Sequence, residues 1–282
     1  MRVVWPEGND RRLPAGNPHP GRGRRRTAGH RVLGLCEPPR EVPDGPLFHA
    51  FSPLRSAIMR FLDDYLASTK SGRRGPAIAD VPPPDRAALE AHLARRRYGR
   101  FTLTDAVRPS WQLDVVPQAG YRFDTYLDAA GGAKLPALIG AVSSEELFEA
   151  FLGLLEPLGD TVDVVLESSH GDPSATAEFT REGVERTVLE SVLWDFEDLL
   201  LNDGCTGIAV LHPERPIEVQ LDEHKLLIVY AHARSPFERV FADLGLARDD
   251  RMRFISQGEH LHTSNERFAD SFDEMVRRLG AG

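Results

Sequence analysis

The alternation of apolar and polar side chains predicts three consecutive strands within Thr206–Ala231. Gly207–Leu211 is a short apolar run, and the two prolines that follow favour a turn because proline fixes φ and donates no backbone hydrogen bond. Apolar and polar residues alternate between positions 217 and 222, which is the period of a half-buried strand. Leu226–Ala231 is apolar without alternation, as in a strand covered on both faces. We therefore place this last strand at the centre of a sheet.

Amphipathic helices are predicted on both sides of this stretch. Apolar side chains recur every four residues in Arg181–Asn202, with acidic residues on the opposite face. Thr263 and Glu266 form a T-x-x-E capping box that opens the last helix, and Gly280 ends it. Three further helices are predicted: one from a cap at Asp85 to Arg97, one opened by Ser143 with Glu146, and Pro236–Leu246.

The region between residues 98 and 166 has mostly strand-like patterns. Alternation in Phe101–Thr104, Trp111–Val115 and Tyr121–Asp128 predicts an antiparallel meander. Leu135–Val142 fits either a strand or a buried helix, and Val162–Leu166 is a further strand. The predicted fold class is α/β or α+β, with a mixed, largely antiparallel sheet of about seven or eight strands and flanking amphipathic helices.

The composition divides the 282-residue chain into three parts. Residues 1–58 hold nine prolines, seven glycines and the basic cluster Arg22–Arg26, so we predict a disordered N-terminal leader. A start of translation at Met59 is an alternative interpretation of this segment. Residues 59–97 are predicted to be a helical segment and a linker, and residues 98–282 to be one acidic domain.

The distribution of charge and cysteine limits the partners and the compartment. Residues 1–58 carry ten arginines and five acids, so the remaining 24 basic and 38 acidic residues give 59–282 a charge of −14. The acidic region 59–282 repels phosphate backbones, so nucleic acid is an unfavourable partner. A protein with a basic surface is a more favourable partner. No apolar run is long enough to span a membrane, and two distant cysteines favour a cytoplasmic location.

Histidines follow four of the predicted strands. If crossover helices connect the segments that end near residues 166, 211, 231 and 256, all four segments run in the same direction. The carboxyl ends of parallel strands are where open sheets place ligands, and imidazole is a common ligand of zinc. The candidate metal ligands at these ends are His170, His212, His232, His260 and His262.

The H-x-H pair is the most specific of these candidates. On an extended segment His260 and His262 point to the same side, so both can reach one ion. Glu259 or Asp172 would orient a ligand or act as a base. Unconnected surface histidines are the simpler interpretation, since loops lie at strand ends by definition.

A second pattern resembles the core of the PD-(D/E)xK nuclease superfamily. The predicted order from residue 181 to 256 is helix, three strands, helix and strand, and Asp203 precedes the strand that carries Glu218 and Gln220. The resemblance implies that Asp203 and Glu218 bind Mg²⁺. Gln220 stands where that family has its lysine, so the cation that helps to activate water is missing here.

Two functions of different classes remain. The leading expectation is a non-enzymatic binding or regulatory protein that holds a partner through its acidic surface, because the chain contains none of the common catalytic motifs. The alternative is a metal-dependent, hydrolase-like enzyme with a divalent metal on the histidines at the sheet edge. The patterns define neither a substrate nor an oligomeric state.

Overall fold

The computed structural model describes residues 85–127, 134–172 and 175–282. The predicted leader at 1–58, with its basic cluster, and the predicted segment at 59–84 lie outside these residues. The helix capped by Asp85 is present as α1, Arg86–Leu93, and the Asp85 carboxylate accepts a hydrogen bond from the Ala88 amide at 2.8 Å.

A seven-stranded sheet forms the centre of the fold. Its strands are β4 (Gly120–Leu127), β5 (Lys134–Ala141), β6 (Thr161–Asp172), β7 (Ala175–Glu185), β8 (Thr206–Leu211), β9 (Glu218–Leu221) and β10 (Leu227–Tyr230). Their spatial order is β4-β5-β10-β9-β8-β6-β7, and every neighbouring pair is antiparallel. The other strands, β1 (Arg97–Tyr98), β2 (Phe101–Thr102), β3 (Val107–Pro109) and β11 (His260–His262), form two small two-stranded sheets, β1-β2 and β3-β11.

The three strands predicted within Thr206–Ala231 are present and lie side by side. All four residues of β10 are buried, and β10 pairs with β5 on one side and β9 on the other. This confirms the central position that its unbroken apolar run predicts. Leu135–Val142, ambiguous in the sequence, is mostly strand, because it pairs with β10 and with β4 along its length.

Helices cover one face of the sheet. They are α2 (Leu147–Leu155), α3 (Arg186–Asp195), α4 (Glu197–Asn202), α5 (Ser235–Asp243) and α6 (Glu266–Leu279). Phe151, Leu154 and Phe272 are fully or almost fully buried between helices and sheet in the larger hydrophobic core. The described part of the chain thus confirms the predicted class, an α/β fold with a large antiparallel sheet and flanking helices.

A smaller core lies on the opposite face of β4, β5 and β10. Tyr98, Phe101 and Leu103 pack there together with Phe254 and Ile255. The segments that carry these residues also line a cleft together with His224, Lys225 and Leu226, so this second layer lies next to the loop at residues 222–226.

The helix predicted over Arg181–Asn202 is wrong at its start. Residues up to Glu185 belong to β7, which pairs with the twelve-residue strand β6, and the helix begins at Arg186. Four-residue spacing of apolar side chains is compatible with both structures over one turn, and pairing with β6 decides in favour of the strand. No crossover therefore separates β6 from its next partner in the chain, and β6 runs antiparallel to β8.

The four segments expected to run in one direction do not do so. β8 and β10 share a direction through β9, whereas β6 is reversed. Met252–Ser256, expected to be a strand, is irregular and enters a 3₁₀ turn at Ile255–Gln257, because its apolar side chains pack onto the smaller core instead of pairing in the sheet. Trp111–Val115 is likewise not a strand, and Leu113 has a φ of 50°.

Among the described residues no helix combines the length and the apolar character that crossing a bilayer requires.

We predict that Gly140→Ala destabilises the fold because β5 and α5 approach closely there. A Cβ at Gly140 would lie 2.6 Å from Cζ of Phe241, a fully buried ring. Overpacking of this kind costs about 1–3 kcal/mol of unfolding free energy, measurable by chemical denaturation. Gly153→Ala in α2 is the control, because its Cβ would meet Val240 at 3.3 Å and alanine favours a helix. Equal midpoints for Gly140→Ala and the wild type would contradict the prediction.

Candidate metal centre

The short strand β11 presents two histidines on one side. It pairs antiparallel with β3, with His260 opposite Pro109 and His262 opposite Val107. The residue between them, Leu261, is buried on the other side. Because side chains alternate along a strand, the two imidazoles share the face that Leu261 does not occupy.

A third histidine comes from the β9–β10 hairpin. The Asp222 amide donates to the Leu226 carbonyl at 3.1 Å, and the Leu226 amide donates to the Asp222 carboxylate at 2.8 Å. These bonds close a three-residue loop whose last residue, Lys225, has a left-handed φ of 62°. His224, in the middle of the loop, is thereby directed at β11.

The three imidazole rings converge through the same ring atom. Nε2 of His260 lies 3.1 Å from Nε2 of His224 and 3.1 Å from Nε2 of His262. The ring centroids are 4.7, 4.8 and 5.0 Å apart, and one nitrogen of each ring lies within 4.8 Å of one nitrogen of each of the other two.

The opposite nitrogen of every ring is held by an oxygen acceptor. His260 Nδ1 donates to the Gly258 carbonyl and His262 Nδ1 to the Gly204 carbonyl, each at 2.7 Å. His224 Nδ1 donates to the Asp222 carboxylate at 3.0 Å. Since carbonyl and carboxylate oxygens only accept, the hydrogen of each neutral ring lies on Nδ1.

The three converging Nε2 atoms therefore all present lone pairs. A proton on His224 would satisfy its contact with His260, but the contact between His260 and His262 would still join two acceptors. One cation at the common point would satisfy all three nitrogens. Outer hydrogen bonds from Nδ1 to a carboxylate or a carbonyl are also the arrangement found around histidine ligands of metals.

Burial and mutual repulsion keep two of these rings neutral. Burial, and then the neighbouring His224 and His260, lower the pKa of His262 to about 3. Burial and His224 lower the pKa of His260. Burial also acts to lower the pKa of His224, but the Asp222 carboxylate outweighs it and raises that pKa overall. A neutral imidazole is the form that binds a metal.

Lys225 is a buried cation next to this site. Its side chain is 5% exposed, and its ammonium donates to the Thr206 carbonyl at 2.8 Å. Burial lowers its pKa, against the opposing effect of Asp203 and other acids nearby. His224 and Lys225 also line one cleft, together with apolar side chains of the smaller core.

Gly204 connects the site to the large sheet. Besides accepting from His262 Nδ1, it donates its amide hydrogen to the Thr263 carbonyl at 2.8 Å. A Cβ at Gly204 would collide with the backbone of Ala106 and Thr263. Only glycine allows the chain to pass this close to β11 and to deliver its carbonyl to the imidazole.

A second polar group lies directly behind Gly204. Asp203 is fully buried, and its carboxylate is 2.9 Å from His170 Nε2 and accepts from the Thr206 hydroxyl. His170 Nδ1 is 2.7 Å from the Ser168 hydroxyl. Burial acts to raise the pKa of Asp203, but the hydrogen bond and the charge of His170 lower it overall.

Cys205 shares this second group, and its potential ligand atom is within 4.8 Å of those of His170 and Asp203. Burial, followed by the Asp203 charge, raises the pKa of the thiol to about 11. The thiol is therefore protonated at neutral pH and is neither a nucleophile nor a ready metal ligand. The physical effect of the group is to fix residues 203–206, whose carbonyls receive hydrogen bonds from His262 and Lys225.

The structure separates the histidines nominated from the sequence. His260 and His262 lie together, whereas His170 belongs to the second group. His212 Nδ1 accepts from two backbone amides of its own turn, at 3.0 Å each, and His232 is exposed on a different loop. Glu259 is exposed, and Asp172 is the last residue of β6.

Sequence reasoning missed His224, the third member of the cluster. The signal available was the left-handed turn position, where hairpins of this length favour glycine but this chain has Lys225. A lysine at the left-handed position of a turn between two predicted strands is a sign that side-chain chemistry matters more than turn stability there.

The nuclease-like pattern is not supported by these contacts. Asp203 pairs with His170 and Thr206, whereas the buried carboxyl of Glu218 accepts from Gln220 and has a pKa well above its ordinary value because of burial. The final strand of that pattern is absent from residues 252–256. No protein-family model matches the chain, and no curated protein and no solved structure matches it at a significant level.

We predict that Asp203→Asn lowers the free energy of unfolding by about 3 kcal/mol at pH 7, because it removes the charge from a buried pair. In the folded chain the pKa of Asp203 is below its ordinary 3.8. The ionised carboxylate thus stabilises the fold above this value, and the effect is lost as the pH falls through the lowered pKa. The gap between variant and wild type should shrink below about pH 4.

Denaturation at a series of pH values tests this. Asp198→Asn is the matched control, because the Asp198 side chain is 60% exposed in its ion pair with Arg267. Its effect should remain within about 0.5 kcal/mol. If the difference in unfolding free energy between Asp203→Asn and the wild type is the same at every pH, the carboxylate charge does not stabilise this part of the fold.

Proposed function

We propose that this protein is a metal-dependent enzyme of the hydrolase type, in which His224, His260 and His262 hold one zinc-like divalent cation. The observation that carries the proposal is the convergence of three Nε2 lone pairs, with every Nδ1 already hydrogen-bonded to an oxygen. Without a cation, the contact between His260 Nε2 and His262 Nε2 would hold two acceptor nitrogens against each other.

The distances fit a first-row cation with nitrogen ligands. Two nitrogens bound to one tetrahedral zinc at about 2.0–2.1 Å lie about 3.3 Å from each other. The Nε2 separations of His260 from His224 and from His262, 3.1 Å each, are close to this value. An all-imidazole set favours zinc, copper, iron or nickel over magnesium and calcium, which prefer oxygen.

The number of ligands favours catalysis over a purely structural role. Within the described residues the cluster offers three ligands, whereas structural zinc sites usually close with four. His224 also lines a cleft with room for about one water molecule, so a water has a place to bind beside the site as a further ligand. When bound, such a cation lowers the pKa of its water and supplies a hydroxide nucleophile at neutral pH.

The protein's own groups would orient the ligands and exclude water. Asp222 fixes the ring of His224, and its carboxylate keeps a lowered pKa because the attraction of His224 outweighs the effect of burial. Phe101, Leu103 and Phe254 form an apolar wall of the cleft. The expectation of a non-enzymatic protein with a basic partner stays a prediction, as does a cytoplasmic location.

We predict one zinc ion per chain in protein purified without an affinity tag. Single His→Ala changes at 224, 260 and 262 should each abolish stoichiometric metal, because two imidazoles are left. Metal content is measured by elemental analysis, and hydrolysis of 4-nitrophenyl acetate serves as a generic activity. Chelation should remove the activity of the wild type, and added zinc should restore it.

His212→Ala and His232→Ala are the controls for these variants, because neither imidazole contacts the cluster. Both should keep metal and activity. If all three cluster variants retain the metal content of the wild type, or if the wild type takes up no divalent ion, the proposal is wrong. Metal without any zinc-dependent hydrolysis would remove the enzymatic part alone.

We also predict that Asp222→Asn weakens zinc binding by about tenfold to a hundredfold, because a charged acceptor behind a histidine ligand makes that ligand more basic. Asparagine retains an oxygen that can accept from the Leu226 amide, so the loop should stay folded. Competition with a chromophoric chelator gives the affinities. Asp243→Asn, at the exposed end of α5, is the matched control. Equal affinities for both variants would exclude an electrostatic role of Asp222.

A further inference from the structure

The back face of the large sheet, opposite the helices, is acidic on the half formed by β6, β7, β8 and β9. Glu218 and Gln220 of β9 lie on this face, because Val219 between them belongs to the larger core on the helix side. Glu167 of β6 and Glu178 of β7 are paired across their strands and lie on the same face. These four residues form an acidic patch. Within the described strands β6, β8 and β9 there is no lysine or arginine.

Two residues of the acidic patch are buried without full hydrogen bonding. Glu218 has no exposed surface, and Gln220 is 3% exposed. Oε2 of Glu218 and Oε1 of Gln220 nevertheless have no hydrogen-bond partner in the described part of the chain. A buried acceptor without a donor lowers stability, and most buried polar atoms in proteins have a partner. The patch therefore accepts further hydrogen bonds from a donor group.

Neither hydrophobic core covers these two residues. The smaller core extends to Tyr230, which lies opposite Glu218 in the register of β9 and β10, and it includes no residue of β8 or β9. The larger core takes residues of those two strands from the other face, namely Ile208, Val210, Val219 and Leu221. The cover that separates Glu218 from water thus belongs to neither core.

Arginine is the side chain that fits the two oxygens without partners. Burial raises the pKa of Glu218 well above its ordinary value, and the charge of Glu167 adds to this shift. A guanidinium has five N–H donors and a permanent positive charge, so it would bind both oxygens and favour the ionised carboxylate. Residues 1–58 contain ten arginines and no lysine, and four of these arginines lie in the basic cluster Arg22–Arg26.

We propose that the basic cluster Arg22–Arg26 docks on the acidic patch of its own chain, independently of the metal centre. The described chain begins on the back-face side of the sheet, because α1 leads directly to Tyr98 and Phe101 of the smaller core. Residues 27–84 separate the cluster from α1, and a flexible chain of this length spans about 40 Å. The radius of gyration of a domain as long as residues 85–282 is about 16 Å, so the cluster reaches the patch.

Attachment to the same chain favours this occupant over a separate basic protein. A tethered segment is present at an effective concentration that can reach the millimolar range. Ten arginines and five acids give residues 1–58 a charge of +5, whereas residues 59–282 carry −14, so the two parts attract each other. The chain itself thus supplies the basic partner that its acidic surface favours. Because charge holds the segment in place, salt should weaken the docking.

The test is zero-length cross-linking of the full chain that carries Arg24→Lys. Residues 1–58 contain no lysine, so this change places a reactive amine within the cluster and retains its charge. A water-soluble carbodiimide should join position 24 to Glu167, Glu178 or Glu218 of the same chain, as identified by mass spectrometry of the digested monomer. The yield should fall severalfold when the salt concentration is raised, because salt screens the attraction.

Matched variants separate attraction by charge from random contact. Adding Arg22→Gln, Arg25→Gln and Arg26→Gln should lower the yield severalfold, because the amine remains and three charges are lost. The same number of changes elsewhere in the segment, Arg31→Gln, Arg40→Gln and Arg55→Gln, should leave the yield unchanged. Glu149, exposed on α2 at the helix side of the sheet, is the control carboxylate and should form few links.

Four results would overturn the inference. The first is an absence of links to the acidic patch, and the second is linkage to Glu149 as frequent as linkage to the patch. The third is a yield that does not change when the three neighbouring arginines are replaced. The fourth is linkage between two chains alone, with a yield that falls on dilution, because the patch would then bind a second copy. All arginine substitutions lie outside residues 85–282, so the described fold remains unaltered in every variant.

Discussion

The orientation of three imidazole rings by oxygen acceptors is the constraint on which the candidate site depends. Two of the acceptors are backbone carbonyls, of Gly204 and Gly258, and the third is the Asp222 carboxylate. Backbone carbonyls cannot rotate away once the surrounding strands are paired, so the fold itself determines which nitrogen carries the hydrogen. The consequence is three Nε2 lone pairs directed at one point, which a cation can use and water cannot fully satisfy.

The residues next to the candidate metal site lower the stability of the fold, and the rest of the chain compensates for this. The buried ammonium of Lys225, its left-handed backbone and the fully buried Asp203 are each unfavourable alone. They are tolerated because the seven-stranded sheet and its helices bury a continuous apolar core next to them. A cluster of destabilising residues at one edge of an otherwise regular fold is typical of functional sites. There the side chains are selected for their chemistry, even where they lower the stability of the fold.

The sequence predicts the sheet better than it predicts the site. Unbroken and alternating apolar runs correctly placed β8, β9 and β10 as strands. The alternation in β9 predicted a half-buried strand, however, and its polar residues Glu218 and Gln220 are buried as well. The direction of β6 was wrong, because four-residue spacing at Val184 and Val188 cannot distinguish the end of a strand from the start of a helix. His260 and His262 came together through the period-2 geometry of β11, not through the parallel strand ends that were expected. The turn residue Lys225 marked the loop that carries His224, but the contact of His224 with His260 was not predictable, since it depends on how the hairpin packs against a strand 36 residues later.

The charges in this region suggest why the histidine cluster and the group of His170, Asp203 and Cys205 are joined through residues 203–206. A divalent cation on the histidines and the Lys225 ammonium would bring three positive charges into a poorly hydrated corner. Asp203 and Asp222 supply two negative charges there, and both act on Lys225 electrostatically. One positive charge remains, which a hydroxide would neutralise. Asp203 is held by His170 and Thr206 and contacts none of the three imidazoles of the metal centre. It would then stabilise the centre through its negative charge as well as through the backbone that it fixes.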